Sequence, residues 1–166
     1  MGITVFVTRD FDHMSEVAAD LAIKTTIKTI KNKKEAVLGL ATGNSPTGLY
    51  KHFAKAANSG QFDAGRIRSF NLDEYVGLPG DNVQQRVMHP ESYAYFMIQE
   101  LFGHLNKKFI ETRVPYGSLI DQKTLVKELK ENKNDWEFKG TDAGKSIAVK
   151  SKPASAYLAW IRKEIL

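Results

Sequence analysis

Ala36-Val37-Leu38-Gly39-Leu40 is an almost wholly apolar run of strand length that passes directly into the polar turn Ala41-Thr42-Gly43-Asn44-Ser45. A strand that is apolar at successive positions has both faces covered, which is the condition of a strand inside a parallel sheet. Pro46 falls where the first position of a helix tolerates proline, and Leu49, Phe53 and Ala57 continue on one helical face. The same alternation recurs on both sides of this unit. Ile3 to Val7 is a short β-branched run, and Ser15 opens a segment in which Ala19, Ile23, Ile27 and Ile30 recur at helical spacing. Ile67 to Leu72 predicts a further strand, ending in Asn71-Leu72-Asp73-Glu74-Tyr75. A glycine- and proline-bearing loop runs from Gly77 to about His89, and Pro90 and Glu91 then open a helix through Tyr95, Phe96, Ile98 and Phe102. Strand and helix in strict alternation predict an α/β fold with a doubly wound, mostly parallel sheet. Ligands of such sheets lie beyond the carboxyl ends of the strands, so the turns at 41–45 and 73–75 are where chemistry is expected.

The later part of the chain carries weaker signals. Asp121 to Lys130 reads as a short helix, Ser146 to Lys150 as a strand, and Ser155 to Leu166 as a helix with Tyr157, Leu158, Trp160 and Ile161 as its apolar residues. That last pattern has no glycine or other stop signal, so the fold is expected to be incomplete at its carboxyl end. At 166 residues the chain has room for a single α/β domain over 1–166, or the amino-terminal portion of one.

Composition narrows the function classes. With no cysteine, disulfide scaffolds, cysteine nucleophiles and thiolate zinc sites are excluded. No apolar run reaches the roughly 18 to 20 residues of a membrane span, and no basic segment precedes a hydrophobic one at the start, so a cytoplasmic location without membrane partners is expected. The net charge of +5 lies entirely in residues 105–166, which hold 13 basic and 8 acidic side chains. These lysines are interleaved with acids and apolar residues, the pattern of a solvated face, so nucleic acid is not expected as a partner. His13, His52, His89 and His104 show no ligand spacing, and no metal is expected.

Three motifs carry chemical meaning. In Thr42-Gly43-Asn44-Ser45-Pro46-Thr47, backbone amides at a helix start and three hydroxyls make a phosphate site, although an ordinary capped turn uses the same residues. In Asp73-Glu74-Tyr75, neighbouring carboxylates at a strand end point in different directions, so one can face a pocket while the other pairs or solvates. A partly desolvated carboxylate there serves as a general base beside a carbonyl; a solvent-exposed acidic turn is the plainer alternative. Gly140-Thr141-Asp142-Ala143-Gly144-Lys145-Ser146 superficially suggests a nucleotide loop, but the position that must be glycine is Lys139 and strand-like Ile147-Ala148-Val149 follows. A hairpin or surface turn is the better reading.

Leu38-Gly39-Leu40-Ala41-Thr42-Gly43-Asn44-Ser45-Pro46, Phe70-Asn71-Leu72-Asp73-Glu74-Tyr75-Val76-Gly77-Leu78 and His89-Pro90-Glu91-Ser92-Tyr93, in this order, resemble the glucosamine-6-phosphate deaminase (isomerase) family. The resemblance is strong over about residues 36–104, and the stretch around 107–153 looks like an insertion seen in some members. It implies a Rossmann-like sheet and conversion of glucosamine 6-phosphate and water to fructose 6-phosphate and ammonia, without a cofactor. Carried over residue by residue, Thr42, Gly43, Asn44 and Ser45 hold the sugar phosphate, Asn44 standing where members often have a second glycine. Asp73 takes the C2 proton, and Glu74 and Tyr75 shape the pocket. Members continue into a strand with a glycine-rich Gly-His turn, acidic residues that supply ring opening, and later basic residues that grip phosphate; none is found here. The resemblance therefore implies an incomplete substrate site in this chain and a homo-oligomer for the full-length members. Two further readings share the fold: a 6-phosphogluconolactonase, similar in the phosphate turn alone, and a non-catalytic sugar-phosphate-binding regulatory domain.

Overall fold

The computed structural model describes residues 2–75, 77–115, 127, 130–131, 136–141 and 144–149. They fall into two compact bodies: the described residues of Met1–Leu72 with Tyr93–Val114, and those of Asp73–Ser92 with Pro115–Leu166.

The first body is built as the alternation requires. Helix α1 (Phe11–Lys33) leads to strand β1 (Ala36–Leu40), helix α2 (Thr47–Asn58), strand β2 (Ile67–Asn71), helix α4 (Tyr93–Glu100) and strand β3 (Glu111–Arg113). The three strands form one parallel sheet in the order β1-β2-β3. β1 and β2 pair without a bulge from Ala36 opposite Ile67 to Leu40 opposite Asn71. One core fills the space between sheet and helices, with Ile67, Met97 and Leu101 fully buried and Tyr50, Phe53 and Phe62 packed among them. Phe53 and Phe62 meet with tilted rings at 4.8 Å, a favourable aromatic geometry. Across the sheet, Arg68 on β2 reaches Glu35 at 3.1 Å and Glu111 at 3.0 Å.

Helix α1 begins a turn earlier than the periodicity from Ser15 predicts, because Asp10 caps it: its carboxylate accepts the His13 amide at 2.7 Å. Ser15 is instead a buried packing residue within the helix, its hydroxyl bonded back to the Phe11 carbonyl. Gly48 of α2 lies directly against it. A Cβ on Gly48 would stand 2.6 Å from Ser15 Cβ, so only glycine admits this helix crossing.

Three expectations need correction. The run Ile3 to Val7 is not a strand; Ile3 and Val7 are 92% and 91% exposed, and no strand pairs with them among the described residues. β-branched composition describes a fit to a pleated, half-covered surface, and without a neighbouring strand it has no such surface to fit. β1, next in the chain, is an edge strand with Val37 exposed, and an apolar groove of about 470 Å³ separates its outer face from Leu21, Ala22 and Thr25 of α1. Second, β3 is a strand that the sequence does not predict, since its Glu-Thr-Arg sequence has no apolar periodicity to betray it. Third, the helix opened by Pro90 starts at Tyr93 and ends at Glu100, leaving Phe102 in a following 3-10 turn.

In the second body, the stretch read as a loop from Gly77 to His89 contains a short helix, α3 (Val83–Val87), capped by Asn82, whose side chain accepts the Gln85 amide at 2.9 Å. Strands β4 (Trp136–Thr141) and β5 (Gly144–Val149) form an antiparallel hairpin in which Lys139 lies opposite Ser146 and Gly140 opposite Lys145. A nucleotide loop needs a helix after its Gly-Lys pair; this hairpin has a strand there, in agreement with the hairpin reading. The predicted helix at 121–130 lies largely outside the described residues, and the one at 155–166 wholly so. Among the described residues, no helix is long and apolar enough to cross a membrane.

The Gly48 contact yields a direct test. Gly48→Ala is expected to destabilise the chain by about 1–3 kcal/mol through overpacking against Ser15, read as a lower urea midpoint at unchanged slope.

Candidate functional site

Because β1 and β2 are parallel and in register, their carboxyl ends lie side by side. The Asn71 side chain ties them together, donating from Nδ2 to the Leu40 carbonyl at 3.1 Å in a buried position. The turn at 41–45 follows directly from the end of β1.

The first turn is held from below. Tyr50, one turn into α2 and buried, donates its hydroxyl to the Ala41 carbonyl. Burial pushes the phenol up to about 12 from its ordinary value of 10.0, so the group remains a protonated donor. Gly43 follows with φ +103, a left-handed conformation that favours glycine, and its surroundings are open. Asn44 closes the turn with its carbonyl, accepting the Thr47 hydroxyl at 2.9 Å and, more weakly, the Thr47 amide at 3.4 Å. Pro46 takes the N-cap position of α2, and no side chain caps the helix. The Gly48 and Leu49 amides of the first turn thus have no side-chain cap, next to exposed Gly43, Asn44 and Ser45 and half-buried Thr42. Uncapped amides with the helix dipole behind them favour an anion, and a phosphate best matches several donors at once.

The second turn belongs to the second body. Asp73 is exposed, as is Tyr75, whereas Glu74 is half buried. The two carboxylates differ in their partners. Glu74 Oε2 accepts the Ser92 hydroxyl at 2.8 Å, and Glu74 Oε1 accepts the Tyr75 amide at 2.8 Å. The stretch behind them is tightly ordered: buried Arg86 donates to the Gly80 carbonyl at 2.9 Å, and the Gln85 side chain accepts the Asp81 amide at 2.7 Å. Gly77 at φ +78 and Gly80 at φ +156 make the reversals.

Thr42, Gly43, Asn44 and Ser45 are thus gathered in one turn, and Asp73, Glu74 and Tyr75 in another, each within its own body. Residues that sequence reasoning passed over are the ones that hold these turns. Tyr50 leaves no local signal, since its partner is nine residues away. Asn71 was quoted for its place in a motif, but its bond to Leu40 exists only once two strands pair. Ser92 stood in the third quoted segment without a role.

No protein-family model matches the chain. A glucosamine-6-phosphate deaminase of Clostridium perfringens is 44% identical over 113 residues, which is 68% of this chain and 42% of that protein. Among solved structures, a monomeric glucosamine-6-phosphate deaminase matches with a TM-score of 0.58 and 29% identity, over 80% of this chain and 49% of its own. A 6-phosphogluconolactonase from Thermotoga maritima matches with a TM-score of 0.53 at 16% identity, a likeness of fold alone.

Tyr50 makes the anchoring of the first turn testable. Tyr50→Phe is expected to cost about 1 kcal/mol at neutral pH, the worth of one hydrogen bond. A phenol with a raised folded value adds stability that is full below pH 10.0 and lost as pH rises toward about 12, so the wild-type advantage should shrink over that window in urea titrations.

The chain spans about half the length of the proteins it matches, and over that span it is a homologue of the glucosamine-6-phosphate deaminases.

Proposed function

We propose that the two turns serve the deamination of glucosamine 6-phosphate to fructose 6-phosphate and ammonia. The observation that carries this reading is the 44% identity to a deaminase over 113 residues, in a chain whose two strand-end turns have an anion-ready helix start and an exposed carboxylate. In the open-chain sugar the C2 proton lies next to the C1 aldehyde and is acidified by it. Asp73 accepts that proton, and the electron pair of the C–H bond forms the C1–C2 double bond of an enolamine. Return of a proton to C1 leaves an imine at C2. Water adds there and expels ammonia, giving the ketone. The substrate's own carbonyl acts as the electron sink, so the sequence of steps balances without a cofactor.

Thr42, Gly43, Asn44 and Ser45 hold the phosphate through the α2 amides and hydroxyls, which fixes one end of the substrate. Tyr75 flanks the base. Glu74, with both oxygens engaged, supports the turn and does not compete for the proton. The lactonase alternative rests on fold likeness, which hosts many chemistries and selects none.

The test is simultaneous measurement of ammonia and fructose 6-phosphate from glucosamine 6-phosphate. Equimolar release is expected from a protein spanning the relatives' full length, with Asp73→Asn lowering it by roughly 10²–10⁴-fold, the usual worth of a positioned general base, and little turnover is expected from this half-length span alone, whose substrate site the resemblance implies is incomplete. Hydrolysis of 6-phosphogluconolactone without ammonia would overturn this reading in favour of a lactonase, and sugar-phosphate binding without product in a protein of the relatives' full length would overturn it in favour of a sensing domain.

A further inference from the structure

Ser92 is fully buried, and its hydroxyl spans 18 residues of chain to reach Glu74. Its own place is set by a tight turn, His89-Pro90-Glu91-Ser92, closed by the Ser92 amide on the His89 carbonyl at 2.8 Å. Pro90 presets the backbone angle at the second position of that turn, and His89 Nδ1 accepts the Glu91 amide at 3.2 Å. A hydroxyl delivered from so constrained a turn has little freedom to be elsewhere. Glu74 in turn spends its second oxygen on the Tyr75 amide, the next peptide in the chain. The path runs unbroken from the turn at 89–92, through the Ser92 hydroxyl and the Glu74 carboxylate, to the backbone on the carboxyl side of Asp73.

We propose that Ser92 is a positioning residue: by gripping Glu74 it holds the Glu74–Tyr75 peptide, one peptide beyond Asp73, in one conformation and so steadies the backbone that carries the general base. This rests on the deaminase reading for the base's role, and on geometry alone for the restraint. The arrangement gives two neighbouring carboxylates separate duties. A carboxylate that accepts two hydrogen bonds is fixed in orientation and occupied; an exposed one beside it, on the same fixed backbone, is aimed and available. Alanine at position 92 would leave the half-buried Glu74 carboxylate short of a donor. It would then turn toward water and release the Tyr75 amide.

The experiment compares the wild-type chain with Ser92→Ala, Ser92→Thr, Glu74→Ala and the Ser92→Ala/Glu74→Ala double variant. Hydrogen exchange at the Tyr75 amide is followed by NMR, and kcat and KM are measured for glucosamine 6-phosphate in a protein of the relatives' full length. Loss of one hydrogen bond to a charged group is expected to speed Tyr75 exchange roughly tenfold or more in Ser92→Ala and in Glu74→Ala. The double variant should be no worse than either single one, and Ser92→Thr, which keeps the hydroxyl, should restore the wild-type rate. In the assay, kcat should fall while KM stays within about twofold, because the phosphate turn is a separate element. Tyr75 exchange unchanged in the single variants, or additive losses in the double, would overturn the restraint. If Ser92→Ala does not fold, Glu74→Ala and Ser92→Thr still decide it. Hydrolysis of 6-phosphogluconolactone without ammonia overturns the deaminase reading, while the exchange measurements continue to judge the restraint independently.

Discussion

Five consecutive residue pairs join β1 to β2 in parallel, from Ala36–Ile67 to Leu40–Asn71, and the rest of the first body is arranged around that ladder. Parallel strands finish at the same edge, so pairing alone brings the turn after β1 and the segment after β2 to adjoining starting points. The Asn71 side chain reinforces the ladder at its functional end by taking up the Leu40 carbonyl, a group that the strand pairing would otherwise leave at the margin. Ile67, fully buried at the opposite end of β2, anchors the same strand in the core.

The two turns are stabilised by different means, and the difference suits their chemistry. An anion site must offer donors with no internal acceptor. In the proposed site Pro46 at the N-cap contributes to this, because proline brings no capping side chain to satisfy the Gly48 and Leu49 amides of α2, although the Thr47 amide reaches the Asn44 carbonyl. The turn's shape is maintained from outside the site instead, by the Tyr50 hydroxyl on Ala41 and by Gly43 in a left-handed conformation. The acidic turn is built the opposite way. Glu74 is engaged on both oxygens by Ser92 and the Tyr75 amide, while Asp73 beside it stays exposed. Identical chemical groups one residue apart thus have different environments, which is how a protein assigns different roles to like side chains.

Much of this was legible in the residues. The apolar run at 36–40, the glycine turn and the helix behind Pro46 were placed correctly, because an apolar run of strand length and an amphipathic helix have distinct patterns, but the run is an edge strand with Val37 exposed and not a strand covered on both faces. The hairpin at 136–149 was legible for a negative reason, since a nucleotide loop has a strict glycine requirement that Lys139 breaks. What escaped were features whose signal is not periodic. Asp10 caps α1 three residues after the β-branched run, a signal that apolar periodicity does not carry. β3 is three polar residues that become a strand because β2 offers them an edge. Ile3 to Val7, the most strand-like composition in the chain, has no such edge among the described residues and is not a strand.

The sequence by itself determined the strand, turn and helix of 36–58, the strand at 67–71, the kinship to the deaminases and the identity of the chemical groups at the two strand ends. These depend on local periodicity and on residue types at fixed spacing, which a linear text preserves. Only the tertiary structure decided which carboxylate is held and which is presented, which hydroxyl supports each turn, and which strand-like run finds a partner. Those outcomes rest on hydrogen bonds across 9, 18 and 31 residues, from Tyr50 to Ala41, Ser92 to Glu74 and Asn71 to Leu40. A contact at such separation follows from how the chain folds back on itself, and no local pattern of residues encodes it.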